Sequence, residues 1–128
     1  MKRLVLFTLV FVGLANAADF DARAKAGKLA LASPLAQKYV STWGSMMSAT
    51  MTACRPLGFR PSDAAGAFTF VADVSPAGLV SSVDVRPGTR LSRCFAVHFT
   101  NVQLPAPPLE LLHGKPFLPI ADELELRP

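Results

Sequence analysis

No block of lysine and arginine with interleaved aromatics occurs in this chain of 128 residues, and no Gly-x-Ser-x-Gly or His-Glu-x-x-His frame. The first absence removes the electrostatic footprint that phosphate binding requires, so no nucleic-acid partner is expected. The second removes the recognisable frames of a serine hydrolase and a zinc protease. Cysteines number only two and histidines two, with no Cys-x-x-Cys spacing, which argues against a disulfide oxidoreductase. After the first seventeen residues no long apolar run follows, so the mature chain is expected to be soluble rather than membrane-spanning. No internal repeat is present, and no cofactor or bound metal is expected.

What the chain does have begins at its start. Lys2-Arg3 forms a basic n-region, Leu4 to Val12 an apolar core, and Ala15-Asn16-Ala17 a small-x-small cleavage site, the signature of an export signal cut between Ala17 and Ala18. The apolar core is too short for a membrane anchor, which needs roughly 18 or more apolar residues. The residue immediately after the cleavage site is Ala18 and not cysteine, which argues against a lipid-anchored lipoprotein. Export is expected to place the mature chain in the periplasm, or outside the cell. Cleavage removes two of 13 basic side chains against nine acidic ones, leaving a mature charge of about +2. The remainder is of single-domain size. In an oxidising compartment Cys54 and Cys94 most simply form one disulfide, closing a loop of about 40 residues.

Residues 18–32 are Ala- and Lys-rich and weakly patterned, reading as a frayed helix or mobile leader whose role the sequence leaves open. Ser33-Pro34 starts a helix, Ser as cap and Pro at the first helical position. Leu35, Tyr39, Trp43, Met46, Met47, Thr50 and Cys54 then fall at spacings of three and four, predicting one amphipathic helix that ends before Pro56. After a Pro/Gly/Asp loop at 56–65, residues 66–74 alternate with Phe68, Phe70, Ala72 and Val74 on one face, a half-buried strand. Ser75-Pro76-Ala77-Gly78 supplies a turn, and the return strand is expected to put Leu79, Ser81, Val83 and Val85 on one face, with Ser82, Asp84 and Arg86 on the other. A second helix over 90–101, capped at Thr89, turns Leu91, Cys94, Phe95, His98 and Phe99 inward, where Cys94 can meet Cys54. The connector 102–119 is proline-rich and predicted irregular, and Ile120, Leu124 and Leu126 mark a final strand. The fold class is therefore α+β: an N-terminal amphipathic helix, a β-hairpin, a helix and a final strand, forming a small antiparallel sheet packed on helices with one disulfide. The single domain spans 33–128.

This order, with Val-Ser-Pro-Ala-Gly-Leu-Val at the hairpin and Cys94 followed ten and eleven residues later by Leu104-Pro105, resembles the C-terminal domain of the TonB/TolA superfamily. The resemblance covers residues 66–126. The chain departs from a true energy transducer in having a cleavable signal and no long Pro-rich spacer, so coupling of an inner-membrane motor to an outer-membrane receptor is not implied. What the resemblance implies is a module that pairs a sheet edge with an extended segment of another envelope protein. The edge is then the last strand, at Ile120, Glu123, Leu124 and Glu125, although Glu123 and Glu125 equally suit charges that discourage unwanted pairing.

Three functional readings follow. The first is a non-enzymatic periplasmic binding or accessory module. The second is a small periplasmic hydrolase, or an inhibitor of one, with His98 or His113 in its site. His98 stands four residues after Cys94, a spacing that also suits a shared metal if the thiolate exists, but an inward His is ordinarily a hydrogen-bonded boundary residue, and His113 reads as a turn residue. The third is an envelope copper-binding protein, using the soft sulfurs of Met46, Met47, Met51 and Cys54. Against it, methionines on an amphipathic helix usually fill core gaps, and an oxidised Cys54 is no ligand.

Overall fold

The computed structural model describes residues 12–54 and 67–124. Helix α1 (Val12–Ala30) is followed by α2 (Pro34–Val40), a 3-10 turn over Ser41–Trp43, and α3 (Gly44–Cys54). Strands β1 (Phe68–Val74) and β2 (Val80–Arg86) form the hairpin, α4 (Arg90–Phe99) and the single turn α5 (Leu109–Leu112) follow, and β3 (Leu118–Leu124) ends the described chain. The strands pair antiparallel in the order β2-β1-β3. The class is α+β, and one disulfide joins Cys54 to Cys94. No helix among the described residues is long and apolar enough to cross a membrane.

Alternation along β1 divides the protein into layers. Phe68, Phe70, Ala72 and Val74 face the main core, opposite Leu118 and Ile120 of β3 and Val80 and Val85 of β2. On that core sits α4, whose Phe95 stacks on Phe99 at 5.0 Å between centroids and meets Phe68 and Phe70 at 5.3 Å each. Ring pairs at these separations add roughly 0.5–1.5 kcal/mol each beyond the area they bury. Thr89 caps α4 as expected: its hydroxyl accepts from the Ser92 N–H at 3.1 Å while the Ser92 hydroxyl accepts from the Thr89 N–H at 2.8 Å.

Residues 18–32, expected as a frayed helix or a mobile leader, are helical to Ala30 and seated on the other face of the sheet. Phe20 and Ala24 pack on Val71 and Ala121, and Leu31 reaches the main core. The Arg23 side chain donates to the Ser82 carbonyl and stands 3.8 Å from Asp73, and Arg86 lies over the Phe20 ring, 5.3 Å from its centroid. The segment is weakly patterned because small residues, Ala24 and Gly27, make much of the contact in place of large apolar ones.

Other departures have local causes. The helix expected from Pro34 to Cys54 is interrupted by the 3-10 turn, and Leu35 is left 41% exposed while Ala36 takes the buried position. In β2 a bulge sets two residues, Ser82 and Val83, against Ala72, with Ser82 at φ 53°. The extra residue shifts the register, so Val80 is buried and Leu79 is 41% exposed, and Ser81 leaves the core face. In the connector the turn α5 is regular, closed by His113 at φ 48°. Strand β3 starts two residues earlier than Ile120 and contains Pro119, which an edge strand tolerates. Leu126, Glu125, the 56–65 loop and the basic n-region lie outside the described residues.

The Leu104-Pro105 pair ties the two halves together. Leu104 is buried and its N–H donates to the Gly78 carbonyl at 2.9 Å, where Gly78 takes φ 93°. The Pro105 carbonyl accepts from the Tyr39 hydroxyl at 2.7 Å. Burial raises the Tyr39 pKa above its ordinary value of 10.0. The Trp43 indole packs edge-on against the Tyr39 ring at 5.3 Å between centroids, and its N–H completes no hydrogen bond among the described residues. A raised folded-state pKa gives stability fully present below pH about 10 and lost as the pH climbs through the folded value. Alkaline titration of the chain's only tyrosine should therefore show phenolate absorbance appearing above pH 10, together with loss of structure. In Tyr39→Phe that alkaline loss should shrink, at a cost near neutrality of about 1 kcal/mol for the missing hydrogen bond.

Candidate functional site

Three places gather the residues singled out from the sequence: the outer edge of β3, the disulfide with its neighbours, and the two histidines. At the edge, the ladder assigns directions. The Ser75 N–H donates to the Leu79 carbonyl at 3.0 Å, continuing the pairing of Thr69, Val71 and Asp73 with β2, so Phe68, Phe70, Ala72 and Val74 hydrogen-bond toward β3. The residues of β3 whose backbone faces outward are then Pro119, Ala121 and Glu123. Pro119 has no N–H. The Glu123 N–H donates to its neighbour's carboxylate, Asp122 Oδ1, at 2.8 Å. Ala121 lies beneath α1, where Gly27 comes so close that a Cβ on it would stand 2.5 Å from the Ala121 nitrogen.

The opposite edge is closed in a parallel manner. Val80 exchanges hydrogen bonds with Val102 and Asn101, each 3.0 Å, and the Val85 N–H donates to Asp84 Oδ1 at 2.8 Å. Both edges thus carry an aspartate whose carboxylate occupies the next residue's N–H. A strand with its donors removed or occupied resists pairing with other chains.

Of the residues expected to form a partner-binding edge, Ile120 is wholly buried in the main core and presents no side chain to a partner. Glu123 is exposed, and Leu124 is half-buried opposite Phe68. Beside this edge lies a groove of about 240 Å³ between α1, α2 and β3, lined by Lys28, Leu31, Gln37, Val40, Ala121 and Asp122. Its lining mixes an ammonium, an amide and a carboxylate with aliphatic surface, a composition suited to a peptide rather than to a wholly apolar ligand. No sequence signal marks this groove, since its residues come from separate elements and share no spacing.

The disulfide joins the last residue of α3 to the first turns of α4, with Cα atoms 5.9 Å apart. Cys54 is 1% exposed and Cys94 half-buried. One helical turn beyond Cys94, His98 is exposed at the rim rather than inward. A ring nitrogen of His98 and the two sulfurs lie within 4.8 Å of one another. His98 and Met46 line a second groove of about 270 Å³ with Ala49, Thr50, Ala53 and Val102. Met46, Met47 and Met51 all pack against the core from partly buried positions, the role methionines on such a helix ordinarily take. His113 occupies the left-handed position after α5, the turn role its sequence context implied. Neither histidine hydrogen-bonds to a hydroxyl or carboxylate among the described residues, so neither forms the base-nucleophile or base-orienter pair on which acyl transfer depends. No protein-family model, no curated protein and no solved structure matches this chain.

Proposed function

We propose that this chain is a small exported binding module of the Gram-negative cell envelope, acting on another envelope protein without catalysing a reaction. The observation that carries the reading is the Cys54–Cys94 bond. Disulfides persist in oxidising compartments, and small exported domains use them to supplement a limited core. Export agrees with the packing of α1: Phe20, Ala24, Gly27 and Leu31 all follow Ala17, so cutting after Ala17 leaves these sheet contacts whole. The TonB/TolA-like resemblance belongs to the same proposal. It is supported by the succession of β1, a Pro/Gly turn, β2, α4 and the Leu104-Pro105 pair, which follow in the order the resemblance implies.

The partner surface we assign is the groove beside β3, with Lys28 and Asp122 fixing the orientation of a bound segment and Leu31 and Val40 supplying apolar contact. The blunted β3 edge makes strand addition the less favoured mode, because an incoming strand must displace the Asp122 carboxylate from the Glu123 N–H. The test is a photo-crosslinking residue placed in the native envelope at Gln37, which lines the groove, and as control at Arg93 on α4. The expected result is one discrete adduct from position 37 and none from position 93, on a chain whose intact mass lacks residues 1–17. Equal labelling from both positions, or none from either, overturns the assignment.

A further inference from the structure

We propose that in its dithiol state this chain holds one copper(I) ion through Cys54, Cys94 and His98, the disulfide being the closed form of the same site. The inference is independent of the partner surface assigned above. Its basis is the placement of three soft or borderline ligands from two helices, with their ligand atoms all within 4.8 Å of one another. Bonds of about 2.3 Å from sulfur and about 2.1 Å from nitrogen set the ligand atoms of a metal site roughly 3.5–4 Å apart. The helices need not move far to reach that spacing, since the two sulfurs separate on reduction while His98 is already in range. Cys94 and His98 are four apart on α4, so one face of one helix presents both, and Cys54 comes from the end of α3.

Access and selectivity come from the same surface. His98 is exposed and Cys94 half-buried, so both a reductant and an ion arrive from the groove that His98 shares with Met46. Thiolate and thioether surroundings favour copper(I) over harder ions. Opening requires a dithiol reductant: its two thiols transfer two electrons and two protons to the protein disulfide, which becomes two thiols, while the reductant becomes a disulfide. Copper(I) then displaces both thiol protons to solvent and joins the two sulfurs and the imidazole. The ion relinks α3 to α4 at the point where the covalent bond was lost.

The experiment uses the mature chain, reduced anaerobically with a dithiol, freed of it by gel filtration, and titrated with copper(I) against a chromophoric copper(I) chelator. One equivalent per chain is expected for the reduced protein and none for the oxidised protein, with copper(I) raising the melting temperature of the reduced form. His98→Ala, at an exposed position, leaves the fold intact and should weaken binding at least ~10-fold, the scale that even outer partners of a metal site carry. Retention of wild-type affinity by His98→Ala overturns the proposal, because two thiolates alone then account for the binding. So does uptake without a rise in melting temperature, or tighter binding of zinc(II) than of copper(I) by the reduced chain.

Discussion

Replacing Cys54 and Cys94 together by alanine is expected to lower the stability of the domain by about 2–5 kcal/mol. For a domain of this size that corresponds to a fall in melting temperature of roughly 10 °C or more. The bond spans a sequence separation of 40, for which loop-closure entropy alone suggests about 4 kcal/mol. Whole small domains are stable by only about 5–15 kcal/mol, so the effect is a large share of the total. It is concentrated in one place: α3 touches the rest of the fold chiefly through α4, and Trp43, Thr50 and Cys54 are its buried anchors together with the adjoining turn. Thermal melts of the wild type, the wild type under reductant, and the double variant should separate the first from the other two. A double variant melting within about 3 °C of the oxidised wild type, less than 1 kcal/mol on the same scale, would show that the aromatic core holds α3 without the bond.

The parts of this fold legible in the sequence are those in which one residue's chemistry decides its own neighbourhood. Ser33-Pro34 marks a helix start because a hydroxyl and a fixed φ act within one turn, and the Ser33 hydroxyl does accept from the Ala36 N–H at 3.1 Å. The same holds for the Thr89 cap, the Ser75–Gly78 turn and the alternation of Phe68 through Val74. The cysteine pairing was legible because a chain with only two cysteines leaves one choice of intramolecular bond. What escaped depended on partners distant in sequence. The bulge at Ser82 is set by what β1 offers opposite, so the two-residue alternation of β2 assigned Leu79 to the core when Val80 occupies it. Ile120 reads as an edge residue only if one ignores that its side chain is part of the core beneath. The proximity of His98 to both sulfurs was half legible, since the four-residue spacing gave Cys94, but its exposure followed from where α4 sits on the sheet. For 18–32 a helix was among the readings, but its seat on the sheet was not legible, because Ala24 and Gly27 make that contact with almost no apolar side chain to mark it.

Replacing Gly27 by alanine should destabilise the protein even though alanine is the better helix former. In an exposed helix the change is favourable by about 1 kcal/mol. Here the added Cβ meets the Ala121 nitrogen and the Ile120 carbonyl carbon at 2.5 Å each and the Ala121 Cβ at 2.7 Å. Two of these atoms are strand backbone held in the β1–β3 ladder, so they cannot rotate away, and the helix itself must lift. Lifting α1 loosens Phe20 and Ala24 from Val71 and Ala121, takes Arg23 off the Ser82 carbonyl and Asp73, and unstacks Arg86 from Phe20. Overpacking of this kind costs about 1–3 kcal/mol, enough to outweigh the gain in propensity, and Gly27→Leu should cost more because its further atoms enter the same contact. Melting curves give the sign, and amide hydrogen exchange across residues 19–31 gives the location: protection there should fall in Gly27→Ala while Phe95 and Phe99 in α4 keep theirs. An alanine variant as stable as the wild type, with α1 amides unchanged, would mean that the helix sits farther from β3 and that residues 18–32 are the loosely held leader their composition suggested. A less stable variant with exchange confined to α1 establishes the opposite: a helix with little apolar surface of its own becomes part of the fold because two small residues, Ala24 and Gly27, let its backbone come down onto a small residue of the sheet.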